Sequence, residues 1–144
     1  MIRVIAICVF SNQGRILLAQ GIDPSTGERF VRPLGGEVEF GERAADAVRR
    51  EIREELALEI ETPNLLGVLE NHFTYGGKES HEVVFVFDAR FANPAVYARP
   101  DIPMVEAVWS GPAIWKRLDE LANGPYPVYP EGLLALLESQ PASG

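Results

Sequence analysis

Cys8 is the only cysteine in this chain, so no intramolecular disulfide can close and a bridged framework is excluded. A reducing compartment, the cytoplasm, is the expectation that follows. Cys8 lies in the apolar run Met1–Phe10 and reads as a small buried hydrophobe. Basic residues are also short: 13 Lys and Arg stand against 21 Asp and Glu, giving a formal charge of −8 and a pI near 4.8. Surfaces that track a phosphate polymer need an excess of Lys and Arg, which argues against nucleic acid as a partner. A small anionic substrate stays compatible with this charge if a metal ion bridges it. Long apolar runs are missing too. No stretch approaches the ~20 residues of a membrane span, and the first run is too short and weakly flanked for a signal peptide, so no membrane partner is expected. Internal repeats, linkers and low-complexity segments are absent before the last few residues.

What is present suits a packed core. At 144 residues, 47% hydrophobic and 24% charged, the chain is expected to form one domain spanning residues 1–144. Ile2–Phe10 and Arg15–Ala19 are apolar, β-leaning runs around the turn cluster Ser11-Asn12-Gln13-Gly14, which predicts a hairpin. Gly21–Arg29 reads as a polar loop and Phe30–Arg32 as a short strand. Leu65–Thr74 and Glu82–Phe91 are expected to be strands around the turn Tyr75–Lys78. Within the second, Val83–Phe87 is apolar on both faces, as in a central strand covered on both sides. A Pro-rich loop, Pro94–Pro103, then leads to an expected strand at Val105–Trp109. Two helices, Pro112–Leu121 and Pro130–Leu137, are predicted with proline near each start.

The segment from about Glu42 to Leu56 is rich in Ala, Glu and Arg and predicts a helix. At about 100° per residue, Ala45, Val48, Ile52 and Leu56 share an apolar stripe, with Glu51, Glu54 and Glu55 beside it. Residues three and four apart are neighbours on a helix, so these three carboxylates converge. Arg49, Arg50 and Arg53 interleave with them, which leaves two readings open: a solvated face of ion pairs, or crowded acids that recruit a cation. Oxygen-only ligands suit Mg²⁺ or Mn²⁺. Upstream, in Arg32-Pro33-Leu34-Gly35-Gly36, paired glycines let the backbone turn tightly and approach a ligand closely, which leaves a peptide carbonyl free as a further oxygen ligand. Glu42 at the helix start suits the helix dipole.

Together these residues closely resemble the signature of the Nudix hydrolase family, which runs G, five residues, E, seven residues, R-E-U-x-E-E-x-G-U, with U aliphatic. Here it reads Gly36, Glu42, Arg50-Glu51-Ile52, Glu54-Glu55 and Leu58. Ala57 stands where the family has glycine, a left-handed helix end where alanine costs up to about 1 kcal/mol. The resemblance implies an α/β (α+β) fold, the α/β/α sandwich with a mixed β-sheet. It implies metal-dependent hydrolysis of the pyrophosphate bond in a nucleoside diphosphate linked to another group, such as ADP-ribose, a dinucleoside polyphosphate or a nucleoside triphosphate. Glu51, Glu54 and Glu55 would hold Mg²⁺ or Mn²⁺ with the carbonyl of Gly36, Glu42 would be a further ligand or brace, and Arg50 would orient the acids. The family takes its general base from the helix or from a loop outside it; Glu54 is the favoured base here, and Glu82 beside His81 the outside candidate.

For the substrate, Arg29 and Arg32 are candidates to meet phosphate oxygens, and Asn71, His72, Phe73 and Tyr75 to line a base or sugar pocket. Trp109 and Trp115 read as packing residues. The alternative function is a nucleotide-binding sensor on the same fold without turnover, which predicts loss of helix acids that are all present here. A purely structural interaction domain is the third possibility. The apolar residues of the first hairpin and the Pro-rich loop are candidates for a homodimer surface.

Overall fold

The computed structural model describes residues 1–106 and 108–141. Two curled sheets organise it. Strand β1 (Ile2–Val9) lies between β5 (Leu34–Glu37) and β7 (Lys78–Asp88), and β6 (Asn64–Tyr75) completes a four-stranded sheet in the order β5-β1-β7-β6. The sheet is mixed: β1 runs parallel to β7 from Ile2↔His81 to Val9↔Asp88, and the other pairs are antiparallel. The second sheet joins β2 (Ser11–Asn12), β3 (Arg15–Ile22), β9 (Ala113–Arg117) and β8 (Asp101–Ile102), with β4 (Arg29–Arg32) on β3.

The period-two alternation of the central strands explains the layering. Ala6, Cys8 and Phe10 face one way, and with Leu17 and Ala19 they pack against Ala47, Val48, Ile52 and Leu56 of helix α1 (Ala44–Leu56). Ile5, Ile7, Val9, Ile16 and Leu18 face the other way. They meet Leu118 and Leu121 of α2 (Leu118–Ala122) and Leu133 and Leu136 of α3 (Leu133–Glu138). Helices therefore cover both faces, the expected α/β/α sandwich. Val84 and Val86 of β7 belong to the second layer and Phe85 and Phe87 to the first, as a centrally placed strand requires. Among the described residues, no helix is long and apolar enough to cross a membrane.

Several local expectations are overturned. The predicted first hairpin is reduced to β2 and the start of β3, closed by positive φ at Gln13 and Gly14; β1 itself pairs with β5 and β7. Burial on two sides favoured the distant partners over the neighbour in sequence. Gly35 and Gly36 form no turn; they are strand residues of β5, paired with Ile7 and Ala6. Val105–Trp109 forms bends and a turn rather than a strand, with Ala107 outside the described residues. Pro112–Leu121 begins as strand β9, because Ala113–Arg117 finds β3 and β8 to pair with, and only its end turns helical. Pro94–Pro103 contains a short 3-10 helix, Pro94–Ala98, and β8.

Candidate active site

Helix α1 packs on β5, and this contact builds the carboxylate cluster. Glu55 falls within the buried face of α1 rather than beside it, 2% exposed, where it accepts a hydrogen bond from the Gly35 N–H at 2.8 Å. Burial pushes its carboxyl up to about 8, with the nearby charges of Glu51 and Glu106 adding, against the opposing pull of Arg32 and of the Gly35 N–H. Glu51, partly buried one turn earlier, is also raised, chiefly by burial, with the Arg50 contact opposing and Glu54 and Glu106 adding. In both groups burial outweighs the compensation that Arg50, Arg32 and the Gly35 N–H provide.

The glycines admit this arrangement by having no side chain. A Cβ on Gly36 would stand 2.5 Å from the Glu51 carboxyl carbon and 2.6 and 2.7 Å from its oxygens. At Gly35, where φ is +147°, a Cβ would lie 2.1 Å from the carbonyl oxygen of Ala6 in β1. Of the two properties expected of paired glycines, close backbone approach is the one these positions use, here toward α1 and β1.

Arg50 is the hub of the acids around it. Its Nε and Nη2 donate to both oxygens of Glu42 at 2.8 and 2.9 Å, a bidentate pair. Its Nη1 donates to Glu51 at 2.9 Å and Glu54 at 3.3 Å, and Nη2 also reaches the Glu37 carbonyl at 3.0 Å. The Arg50 hydrogen bonds, together with the N–H of Glu39, bring the Glu42 carboxyl down to about 2. Both Glu42 oxygens are thus engaged by Arg50. Glu54 is the most open member, its side chain half exposed.

The donor set fits a hard divalent cation: two carboxylates desolvated by burial, a third nearby, and a backbone cradle at Gly36 that any side chain would fill. Among the described residues, no three His, Cys, Asp or Glu side chains enclose an ion as placed. Arg50 holds Glu51 and Glu54 toward itself, so enclosure would require those carboxylates to rotate.

Glu106 is the acid that sequence reading missed. It lies on the loop after β8, which is fastened to the end of α1 by a hydrogen bond from the Val105 N–H to the Glu55 carbonyl at 2.8 Å. Its charge bears on both Glu51 and Glu55. Nothing local in the sequence signals this, since the loop returns to α1 across some fifty residues.

On the face of the sheet away from α1 opens a cavity of about 230 Å³. Its wall is a chain of aromatic contacts: Tyr75 edge-on to Phe30 at 6.0 Å, Phe30 edge-on to Tyr129 at 5.5 Å, and Tyr129 stacked on Phe73 at 6.2 Å. Trp109, packed against the core as expected, also lines it, beneath the Arg32 guanidinium at 5.5 Å. Arg32 borders both regions: it lines the cavity, donates to the Gly35 carbonyl at 3.2 Å and acts on Glu55.

The remaining candidates divide by strand parity. Arg29 is exposed and does not line the cavity, because on β4 it alternates with Phe30 and Arg32, which do. Asn71 lines it but is buried, with its carboxamide engaged on the backbone: it accepts from the Glu131 N–H at 2.7 Å and donates to the Glu131 carbonyl at 3.3 Å. Glu82 lines the cavity and meets Arg3 at 3.4 Å. His72 and His81 face each other on the opposite side of the sheet, centroids 5.5 Å apart, away from the cavity.

Comparison with known proteins agrees with this architecture. The family model described as NUDIX domain matches residues 1–131. The MutT NUDIX hydrolase from Burkholderia pseudomallei is 29% identical over 97% of this chain and 99% of its own, with a TM-score of 0.73. A NUDIX hydrolase from Nitrosomonas europaea, 20% identical, covers 96% of this chain and 87% of its own at a TM-score of 0.71. The MutT protein from Methanosarcina mazei Go1, 18% identical, covers 95% and 91% at 0.68. The last two likenesses concern the fold.

Proposed function

This chain belongs to the NUDIX family, and from that premise we propose that it hydrolyses the pyrophosphate bond of a nucleoside diphosphate linked to another group, with Mg²⁺ or Mn²⁺ as cofactor. The observation that carries the reading is the packing of the acids on the glycine strand: the Glu51 carboxyl occupies the space a Cβ on Gly36 would fill, and Glu55, buried beside it, accepts the Gly35 N–H at 2.8 Å. A solvated ion-pair face needs no such close approach of acids to backbone, whereas a cation site does.

When bound, the divalent ion neutralises phosphate oxygens and lowers the pKa of a coordinated water. Glu51, Glu55 and the Gly36 carbonyl would hold it, with Glu54 joining on rotation. Arg50 keeps the acids in register through Glu42, and that brace is what makes the cluster rigid rather than splayed. Glu54, open to solvent and tethered only to Arg50, takes the proton from the attacking water in this reading. Arg32, between cluster and cavity, meets a phosphate oxygen. The aromatic wall of Phe30, Phe73 and Tyr129 receives the base by stacking. Glu82 is a poor base for this chemistry because its side chain lies on the other face of β5 from the cluster, paired with Arg3.

The test is release of monophosphate from a panel of nucleoside diphosphate derivatives and nucleoside triphosphates, with Mg²⁺ or Mn²⁺ and with EDTA. Release with either ion that EDTA abolishes supports the proposal. Binding of nucleotide with no release from any member would favour the sensor.

A further inference from the structure

A nucleotide presents phosphate, sugar and base in a fixed linear order, so a site that binds one must offer its groups in that order. This molecule has such a sequence of groups. The carboxylate cluster touches one face of β5 through Gly36. On the other face, the Glu37 side chain meets Arg3 at 3.4 Å, and Arg3 reaches Glu82 of β7, also at 3.4 Å. Only β1 separates β5 from β7, so at ~4.8 Å per strand Glu82 lies about 10 Å from the glycine strand. The aromatic wall begins on the next strand out: Asn71 is paired with Glu82 and Phe73 with Ser80, placing Phe73 about 7 Å further along β6.

Arg32, which borders both the cluster and the cavity, links the two faces, and on the cavity face Arg3 and Glu82 stand between the β5 edge and the base wall. We infer that Glu82 reads the ribose hydroxyls, held toward the cavity by Arg3, and that the substrates are therefore ribonucleotide rather than 2′-deoxyribonucleotide derivatives. The Glu82 side chain is 15% exposed, and among the described residues Arg3 is its only ionic partner. A carboxylate has acceptor positions to spare after one such contact, and a 2′,3′-diol fills two of them. Acids on sheet strands take ribose hydroxyls in the same way in dinucleotide-binding folds. A 2′-deoxy sugar leaves one of these positions empty on a largely desolvated anion, which favours the ribose form about tenfold or more.

The inference rests on the proposed hydrolase function, and the experiment keeps the two apart. kcat/KM is measured with Mg²⁺ for the pairs ATP and dATP, GTP and dGTP, on wild type and on Glu82→Gln, with circular dichroism as the check on folding. Expected is a ribose preference of about tenfold or more in wild type, falling to about twofold or less in the variant. Arg3→Ala should lower the ratio and Arg3→Lys partly restore it. Equal rates on both sugars, or a ratio untouched by Glu82→Gln, overturns the inference and leaves the hydrolase standing. If no nucleotide is turned over, calorimetric binding of AMP and dAMP decides the sugar question alone: tighter AMP binding lost in Glu82→Gln supports it, equal binding overturns it.

Discussion

Replacing Glu55 by glutamine should make the metal-free protein more stable above pH 8, although it removes a group at the heart of the site. The native carboxyl is raised from 4.5 to about 8, mainly by burial. Between these values the unfolded chain has released the proton while the folded one retains it. The unfolded state then binds fewer protons, so stability falls as pH rises through this window and levels off above about 8. At about 1.4 kcal/mol per pH unit, the loss attributable to Glu55 has a ceiling of roughly 5 kcal/mol, a large part of what a domain of this size possesses. Glutamine mimics the protonated acid: its carbonyl still accepts the Gly35 N–H, and it carries no charge. Urea denaturation in EDTA from pH 5 to 9 measures this, with the difference between wild type and Glu55→Gln isolating the one residue. The difference should be small near pH 5 and grow to several kcal/mol in favour of the variant by pH 9. A difference that does not vary with pH would refute the claim that a desolvated carboxylate is held at this position. Adding Mn²⁺ at pH 9 should raise the stability of wild type, because an ion that binds only the folded state stabilises it, and should do far less for the variant.

Four further outcomes follow from the glycines, the helix end and Arg50. Gly36→Ala should leave the fold intact but displace Glu51, because the clash is with a movable carboxylate; Mn²⁺ titration calorimetry should show about tenfold or greater weakening. Gly35→Ala should cost several kcal/mol and lower Tm sharply, since its new Cβ would meet backbone of β1 in a positive-φ residue. Ala57 adopts φ 57°, ψ 35° at the end of α1, so Ala57→Gly should add up to about 1 kcal/mol to stability in thermal unfolding; no gain would mean the end of α1 is unstrained. Arg50→Lys keeps the charge but cannot form the bidentate contact to Glu42 while bridging Glu51 and Glu54; kcat should fall about tenfold or more with nucleotide KM little changed.

Much of this architecture can be read from residues near each other in the chain. The helix, its acids and the hairpin around Gly76 and Gly77 are all set by local periodicity and turn chemistry, and β6 and β7 pair from Tyr75↔Lys78 outward, as their turn predicts. The failures have a common physical origin in pairing between distant segments. β1 looked like half of a local hairpin, yet it was drawn between β5 and β7, where both of its faces are buried. Ala113–Arg117 carries a proline-led helix start but lies where β3 and β8 supply hydrogen bonds that a helix would forgo. The site divides in the same way. Arg50 and its acids lie within one segment and can be read together as a candidate site; Arg3, Trp109 and Glu106 come near it through sheet order and loop return, which local spacing does not encode. Asn71 and Arg29 show how strand parity and backbone contacts sort polar residues that look alike in sequence: Asn71 lines the cavity with its carboxamide bound to backbone, and Arg29 lies outside that lining.

The central claim is that this carboxylate cluster hydrolyses pyrophosphate bonds with a divalent ion. Its most direct measurement is the rate of bond cleavage under single-turnover conditions with Mn²⁺, on the best substrate of the panel, in wild type, Glu54→Gln and Glu55→Gln. Both variants should be slower by about a hundredfold or more while remaining folded. Cleavage by either variant at the wild-type rate would contradict the account.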